Sequence, residues 1–202
     1  MEGDGAKLSD AELVAAFQKG KLAAFQALVD RYQRSLINFF YHLSWDRQAA
    51  EDCAQEVFLR LYAHLDRYEP QAKFTTFLFR VARNLWIDRM RSEAAHGGRP
   101  VSLEAVATGE TEGASLAARL SANAPTPVEV LSRREAQERL KRALDQLPEE
   151  QKAVVILSEL QGMKYNEIAQ ILDVPVGTVK SRMHTAMERL KMLLADEAER
   201  PL

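Results

Sequence analysis

Apolar positions in this chain recur every three or four residues almost throughout, the spacing that buries one stripe of an α-helix. Phe25, Leu28, Val29, Tyr32, Leu36, Phe39 and Phe40 mark a long helix over 22–43. Val57, Phe58 and Leu61 face inward from a charged segment over 46–62, and Phe74, Phe77, Leu78, Val81 and Leu85 define a further stripe over 74–91. Ser9 and Glu12 have the spacing of a capping box, which opens a short helix closed by Gly20. Pro70 marks a loop. The stripes predict a small helical bundle up to residue 92, and no segment reads as a strand.

From 93 to 127 the character changes. Gly97-Gly98, Pro125-Thr126-Pro127 and an Ala, Ser and Thr background with little periodicity predict a flexible linker. Helical patterning returns from Val128 to Leu147, and Pro148 suits the first turn of a helix running to Gly162. The tract 165–190 then splits into two short stripes around Asp173-Val174-Pro175. The first holds Ile168, Ile171 and Leu172; the second holds Val176, Val179, Met183, Ala186 and Leu190. That arrangement predicts a helix-turn-helix, whose second helix lies in the DNA major groove. The chain thus divides into an all-α domain over 1–92, a linker over 93–127 and a second all-α domain over 128–202.

The buried stripe decides which residues point away from it. Turning about 100° per residue from Val179 places Thr178, Ser181, His184, Thr185 and Glu188 on the outer face, with Lys180 and Arg182 on its flanks. Short polar groups there reach base edges, and flanking cations reach phosphates. On the 74–91 helix the same exercise turns Val81 and Leu85 inward and Phe79, Arg83 and Trp86 outward. Rings interleaved with cations suit single-stranded DNA, because bases stack on the rings and the cations hold the backbone. Phe79 and Trp86 would equally pack beneath the linker or a neighbouring helix, and the residues alone leave both readings open.

Composition sharpens this in one respect. The 202 residues carry 47% hydrophobic and 28% charged side chains and a net charge of -2, which does not suit a protein that coats nucleic acid. The charge is unevenly spread, however. Arg80, Arg83, Arg89 and Arg91 face only Asp88 within 80–91, and Lys180, Arg182, Arg189 and Lys191 face only Glu188 within 176–194. Two basic patches in an acidic whole fit a protein recruited to DNA, with weak autonomous affinity. Cys53 is the single cysteine and reads as a small buried hydrophobe. No apolar run approaches membrane-spanning length and the N-terminus lacks a signal-peptide pattern, so the expectation is a cytoplasmic protein without direct membrane insertion. Glu93 and His96 form a single Glu-x-x-His, whereas a di-metal carboxylate site needs that motif twice plus two further glutamates. No Walker motif is present, and no cofactor or small-molecule substrate is expected.

With these residues in view, the chain resembles a bacterial sigma factor of the extracytoplasmic-function group within the sigma-70 family, over 20–91 and 128–194. AEDCAQEVFLRLY looks like that family's core-polymerase-binding helix, KFTTFLFRVARNLWIDRMR like its minus-ten segment, and LPEEQKAVVIL with YNEIAQIL and VGTVKSR like its minus-thirty-five domain. The resemblance implies that Asp52, Gln55, Glu56, Phe58 and Leu59 bind core RNA polymerase. It implies that Lys73, Phe79, Arg80, Arg83, Asn84, Trp86 and Arg91 engage minus-ten DNA, Asn84 capturing an extruded base. Thr178, Lys180, Ser181, Arg182, His184 and Thr185 then engage minus-thirty-five DNA. An anti-sigma factor is an implied partner, and promoter recognition and melting the implied non-enzymatic function. Asp88, close to the apolar stripe, is expected to pair with a neighbouring arginine. Two departures stand out: Met183, His184, Thr185 and Ala186 occupy positions where relatives often carry further arginines, and Trp86 stands where many have a small residue.

Overall fold

The computed structural model describes residues 8–65, 68, 72–95 and 127–198, with side chains excluded at 127–134 and 196–198. The expected loop at Pro70 and most of the expected linker lie outside the described residues. Eight α-helices and one π-helical turn make up the described chain, which contains no strand.

Helix α1 (Asp10–Gln18) opens on the capping box read from the sequence: the Ser9 hydroxyl accepts from the Glu12 amide while the Glu12 carboxylate accepts from the Ser9 amide at 2.8 Å. Gly20, at φ +83°, takes the left-handed turn after it, where a side chain would be strained. Helix α2 (Leu22–Ser44) buries Ala24, Leu28, Leu36, Phe39, Phe40 and Leu43. Asp46 caps α3 (Arg47–His64) through a 3.0 Å bond from the Ala49 amide, and α3 lays Ala50, Cys53, Ala54, Val57 and Leu61 along α2. Each fully buried Leu, Val or Phe is worth about 1.5–3 kcal/mol of removed apolar surface, which makes this stripe the main source of cohesion.

Helix α4 (Phe74–Ala95) is covered on two sides, by α2 and α3 on one and by α7 on the other. This corrects one expectation. Phe79 is 2% exposed, edge-on to Phe39 at 5.4 Å, so it is a core residue. Trp86 is half-buried, its ring 6.3 Å from that of Phe40. Doubly covering a helix widens its apolar stripe, and the aromatic pair assigned to solvent falls inside the widened stripe. Helix α4 also runs three residues beyond the domain limit expected at 92.

The second domain comprises α5 (Pro127–Asp145), α6 (Glu149–Val155), the π-turn Ile156–Leu160, α7 (Tyr165–Leu172) and α8 (Val176–Ala198). Gly162, at φ +65°, ends the π-turn. Asp173, at φ +53°, ends α7 in the left-handed region that Asp tolerates better than most residues. Ile168, Ile171 and Leu172 of α7 are buried, as are Val179, Met183, Ala186 and Leu190 of α8, and α8 packs on α5, α6 and α7. The two domains are in contact: α4 lies against α7, the end of α2 meets the π-turn, and one apolar core runs through both.

Candidate nucleic-acid and protein interfaces

Three surfaces follow from this packing. The first lies on α3. Burial of Ala50, Cys53, Ala54, Val57 and Leu61 turns Asp52, Gln55, Glu56 and Leu59 outward, and all four are exposed, Leu59 to 65%. Asp52 accepts from Gln48 at 3.0 Å and Glu56 from Arg60 at 3.0 Å. Phe58 is half-buried, edge-on to Phe25. Tyr62, 50% exposed, packs 5.3 Å from Phe25 one turn along from Phe58. An acidic-polar row beside exposed Leu and Tyr is what a protein partner can bury, since aromatics anchor such contacts. Tyr62 was missed from sequence, although its spacing of i+3 from Leu59 marks it.

The second surface is the uncovered strip of α4. Arg83, Asn84, Ile87, Asp88 and Arg91 line a shallow depression of about 310 Å³. Asn84 and Arg91 are exposed, and the Asn84 amide oxygen accepts from Arg83 at 3.3 Å. Arg80, also exposed, lies 5.9 Å over the Phe77 ring, which stacks on Tyr68 at 4.3 Å. Asp88 meets Arg60 of α3 at 3.7 Å, the arginine pairing anticipated for it. Arg89 is not part of this surface. It is held by Glu93 at 2.9 Å and donates to the Cys53 sulfur at 3.3 Å, while burial raises the Cys53 thiol above its ordinary pKa against the opposing pull of that arginine. Lys73, just before α4, is exposed but paired with Glu167 of α7 at 2.7 Å. Ile87 and Asp88 could have been found by stepping one turn from Asn84. The sequence reading placed the aromatic stripe outermost instead.

The third surface is the start of α8. Lys180, Ser181, His184 and Thr185 are exposed, and Thr178 is half-buried. The Ser181 hydroxyl donates to the Thr178 carbonyl at 3.1 Å, which leaves its lone pairs outward. His184 lies 3.5 Å from Glu188 one turn on. Arg182 departs from the flanking role expected of it. Its side chain is only 22% exposed and its guanidinium pairs with the Glu150 carboxylate of α6, so it ties α8 to the body of the domain. Glu167 has a second function besides meeting Lys73. It accepts from the Lys164 amide at 3.0 Å and so caps α7; the Lys73 bond and then that amide bond hold its carboxyl below the ordinary value.

Known proteins match this chain over both domains. The family model for sigma-70 region 2 matches residues 28–96, and that for sigma-70 region 4 matches 137–190. The ECF RNA polymerase sigma factor SigW of Bacillus subtilis is 33% identical over 179 residues, covering 89% of this chain and 93% of that protein. The ECF RNA polymerase sigma-E factor of Escherichia coli K12 is 34% identical over 188 residues, covering 91% and 93%. Among solved structures, the sigma factor RpoE of Bartonella quintana, determined with the anti-sigma factor NepR, superimposes with a TM-score of 0.64 at 26% identity, covering 87% of this chain and 98% of that one. The unmatched residues between the two regions, 97–136, include the start of α5, and the helix-turn-helix lies within the second region. The chain belongs to the sigma-70 family, as an RNA polymerase sigma factor of the extracytoplasmic-function group.

Proposed function

We propose that the three surfaces divide promoter initiation between them. The α3 row of Asp52, Gln55, Glu56 and Leu59, with Phe58 beneath it, holds core RNA polymerase. The α4 strip of Arg80, Arg83, Asn84 and Arg91 takes the melted minus-ten strand, and Lys73 joins it when released from Glu167. The α8 start reads the minus-thirty-five element through Ser181, His184 and Thr185, with Lys180 on a phosphate. Asn84 is the base-capturing residue, because a terminal amide offers both donors and an acceptor to an extruded base. The observation that carries this reading is the depression around Asn84, open to solvent and lined by Arg83 and Arg91 on an uncovered strip of α4.

A protein of this kind is an initiation factor rather than a catalyst and works in the cytoplasm, where chromosome and polymerase are. Among the described residues no helix is long and apolar enough to cross a membrane. The Bartonella quintana relative was solved with an anti-sigma factor, which supports control of this chain by a similar partner. The test is a reconstituted open-complex assay with core polymerase. Asn84→Ala should reduce permanganate reactivity of minus-ten thymines far more than it reduces closed-complex binding. Equal losses on a pre-melted bubble and on a duplex lacking any minus-ten sequence would refute base capture.

A further inference from the structure

The depression on α4 holds a second polar group one turn beyond Asn84. Arg83, Asn84, Ile87, Asp88 and Arg91 line it, and Asp88 is the one acid among them. In a groove for a polyanion a carboxylate is unfavourable, because it repels the phosphates that Arg83 and Arg91 attract. Its place is explained if it faces a base edge rather than the backbone. Asp88 is exposed, its side chain to 61%, and Arg60 of α3 lies 3.7 Å from its Oδ2. Arg60 is held more closely by Glu56, at 3.0 Å, so its grip on Asp88 is loose. A carboxylate can accept at about four lone-pair sites, and Oδ1 has no partner among the described residues. Asn84 is disposed the other way. Its amide oxygen accepts from Arg83 at 3.3 Å, which leaves the amide nitrogen to donate. Donor and acceptor thus follow one another along α4, about 5–6 Å apart at their Cβ atoms as for any i, i+4 pair. That exceeds the roughly 3.4 Å between stacked neighbours on one strand, and it suits two bases unstacked from each other. Ile87, half-buried beside them, offers an apolar contact to a ring.

We infer that Asp88 is a second base-reading residue of this site, which takes the base next to the one captured by Asn84 through an exocyclic amine, cytosine in preference to thymine. The inference rests on the strand-binding function proposed above for α4. Cytosine presents an N4 amine from which a carboxylate accepts, whereas thymine presents its O4 acceptor in the same place and meets Asp88 oxygen to oxygen. The two pyrimidines are nearly the same size, so the contrast isolates the amine. Arg60 serves as the counter-ion: at Oδ2 it offsets the charge that would repel the strand and leaves Oδ1 for the base.

The probe is a single-stranded DNA pool randomised over its central positions, captured on holoenzyme assembled from the full chain and core polymerase, and sequenced. The parent should enrich cytosine over thymine by about fivefold at a position adjacent to the one whose preference disappears in Asn84→Ala. Asp88→Ala should erase the cytosine preference and leave the Asn84-dependent one. Measured singly, strands differing only at that position should cross over: Asp88→Ala weakens binding of the cytosine strand and strengthens that of the thymine strand, because an anion has gone. Equal weakening of both strands would mark a purely structural role for Asp88 and overturn the assignment. Arg60→Met should lower affinity for both strands and keep the cytosine preference. An Asp88→Ala pool matching the parent's, a cytosine preference at the Asn84-dependent position itself, or a preference lost as completely in Arg60→Met as in Asp88→Ala would each overturn it too. A parent pool with no enrichment that Asn84→Ala removes would instead refute the strand-binding reading of α4.

Discussion

The sharpest disagreement between the expected and observed roles of a residue concerns Arg182, and it can be tested quantitatively against Lys180 two positions away. If Lys180 holds a phosphate, Lys180→Ala should lower the slope of log affinity against log salt by about 0.9. Between 50 and 200 mM salt that slope difference amounts to roughly 3.5-fold in relative affinity, well within the resolution of a fluorescence-anisotropy titration on promoter complexes formed with core polymerase. Domain stability should barely change, because Lys180 is exposed and makes no ion pair among the described residues. Arg182→Ala should do the reverse. Its partner Glu150 is 69% exposed, so the pair is worth at most about 1 kcal/mol after solvent screening. In a domain this small that lowers the melting midpoint by about 4–8 °C per kcal/mol lost. The salt slope should stay at the parental value, and Glu150→Gln should reproduce the melting shift. A slope reduced by about 0.9 with unchanged melting in Arg182→Ala would show that the arginine leaves Glu150 for a phosphate.

Three further outcomes follow from the packing. Joint replacement of Asp52, Gln55 and Glu56 by Ala should lower core-polymerase affinity at least tenfold in a binding titration while leaving the circular dichroism unchanged, since all three side chains are exposed. Phe79→Ala should destabilise the first domain by about 3–5 kcal/mol in denaturant unfolding, as a buried aromatic does, with no selective loss of single-strand binding once the folded fraction is matched. The Glu167 carboxyl titrates lower when folded than when unfolded, so its contribution is complete at neutral pH and is lost as pH falls through its depressed value. Acid unfolding of Glu167→Gln should therefore show a shallower loss of stability below about pH 4.3 than the parent.

How far the sequence could be read depended on whether a residue's partner was local. The capping box at Ser9 and Glu12, the break at Asp173 and the stripe Val179, Met183, Ala186 and Leu190 are all set by neighbours within a turn or two and stand as the spacing implies, whereas Val176, expected in the same stripe, is 38% exposed in the first turn of α8. Phe79 was misplaced because helix α4 has covers on two sides, and periodicity locates a stripe without fixing its width. Arg182 was misplaced because its partner lies 32 residues earlier on α6. Trp45 and Lys152, which both bond to Asp145 where the two domains meet, carried no local signal at all. A tryptophan after a helix and a lysine inside one look ordinary until the fold brings them together across 100 residues.

Under the proposed function a chain of net charge -2 reads DNA as part of a larger assembly, and the same long-range pairings bear on why. Much of each basic patch is neutralised internally: Lys73 by Glu167, Arg89 by Glu93, Arg182 by Glu150, and His184, when protonated, by Glu188. Exposed pairs of this kind are worth about 0–1 kcal/mol, so for Lys73 and His184, whose side chains are exposed, exchanging a carboxylate for a phosphate costs little once DNA is held nearby, whereas the less exposed Arg182 stays with Glu150. What the isolated chain lacks is the excess of positive charge that draws DNA from bulk solution. Core polymerase would supply that proximity through the α3 surface. Under the proposed division of surfaces, discrimination between promoters falls to Asn84, Ser181, His184 and Thr185, whose contacts to bases would gain little from net charge and would depend on where α4 and α8 are held.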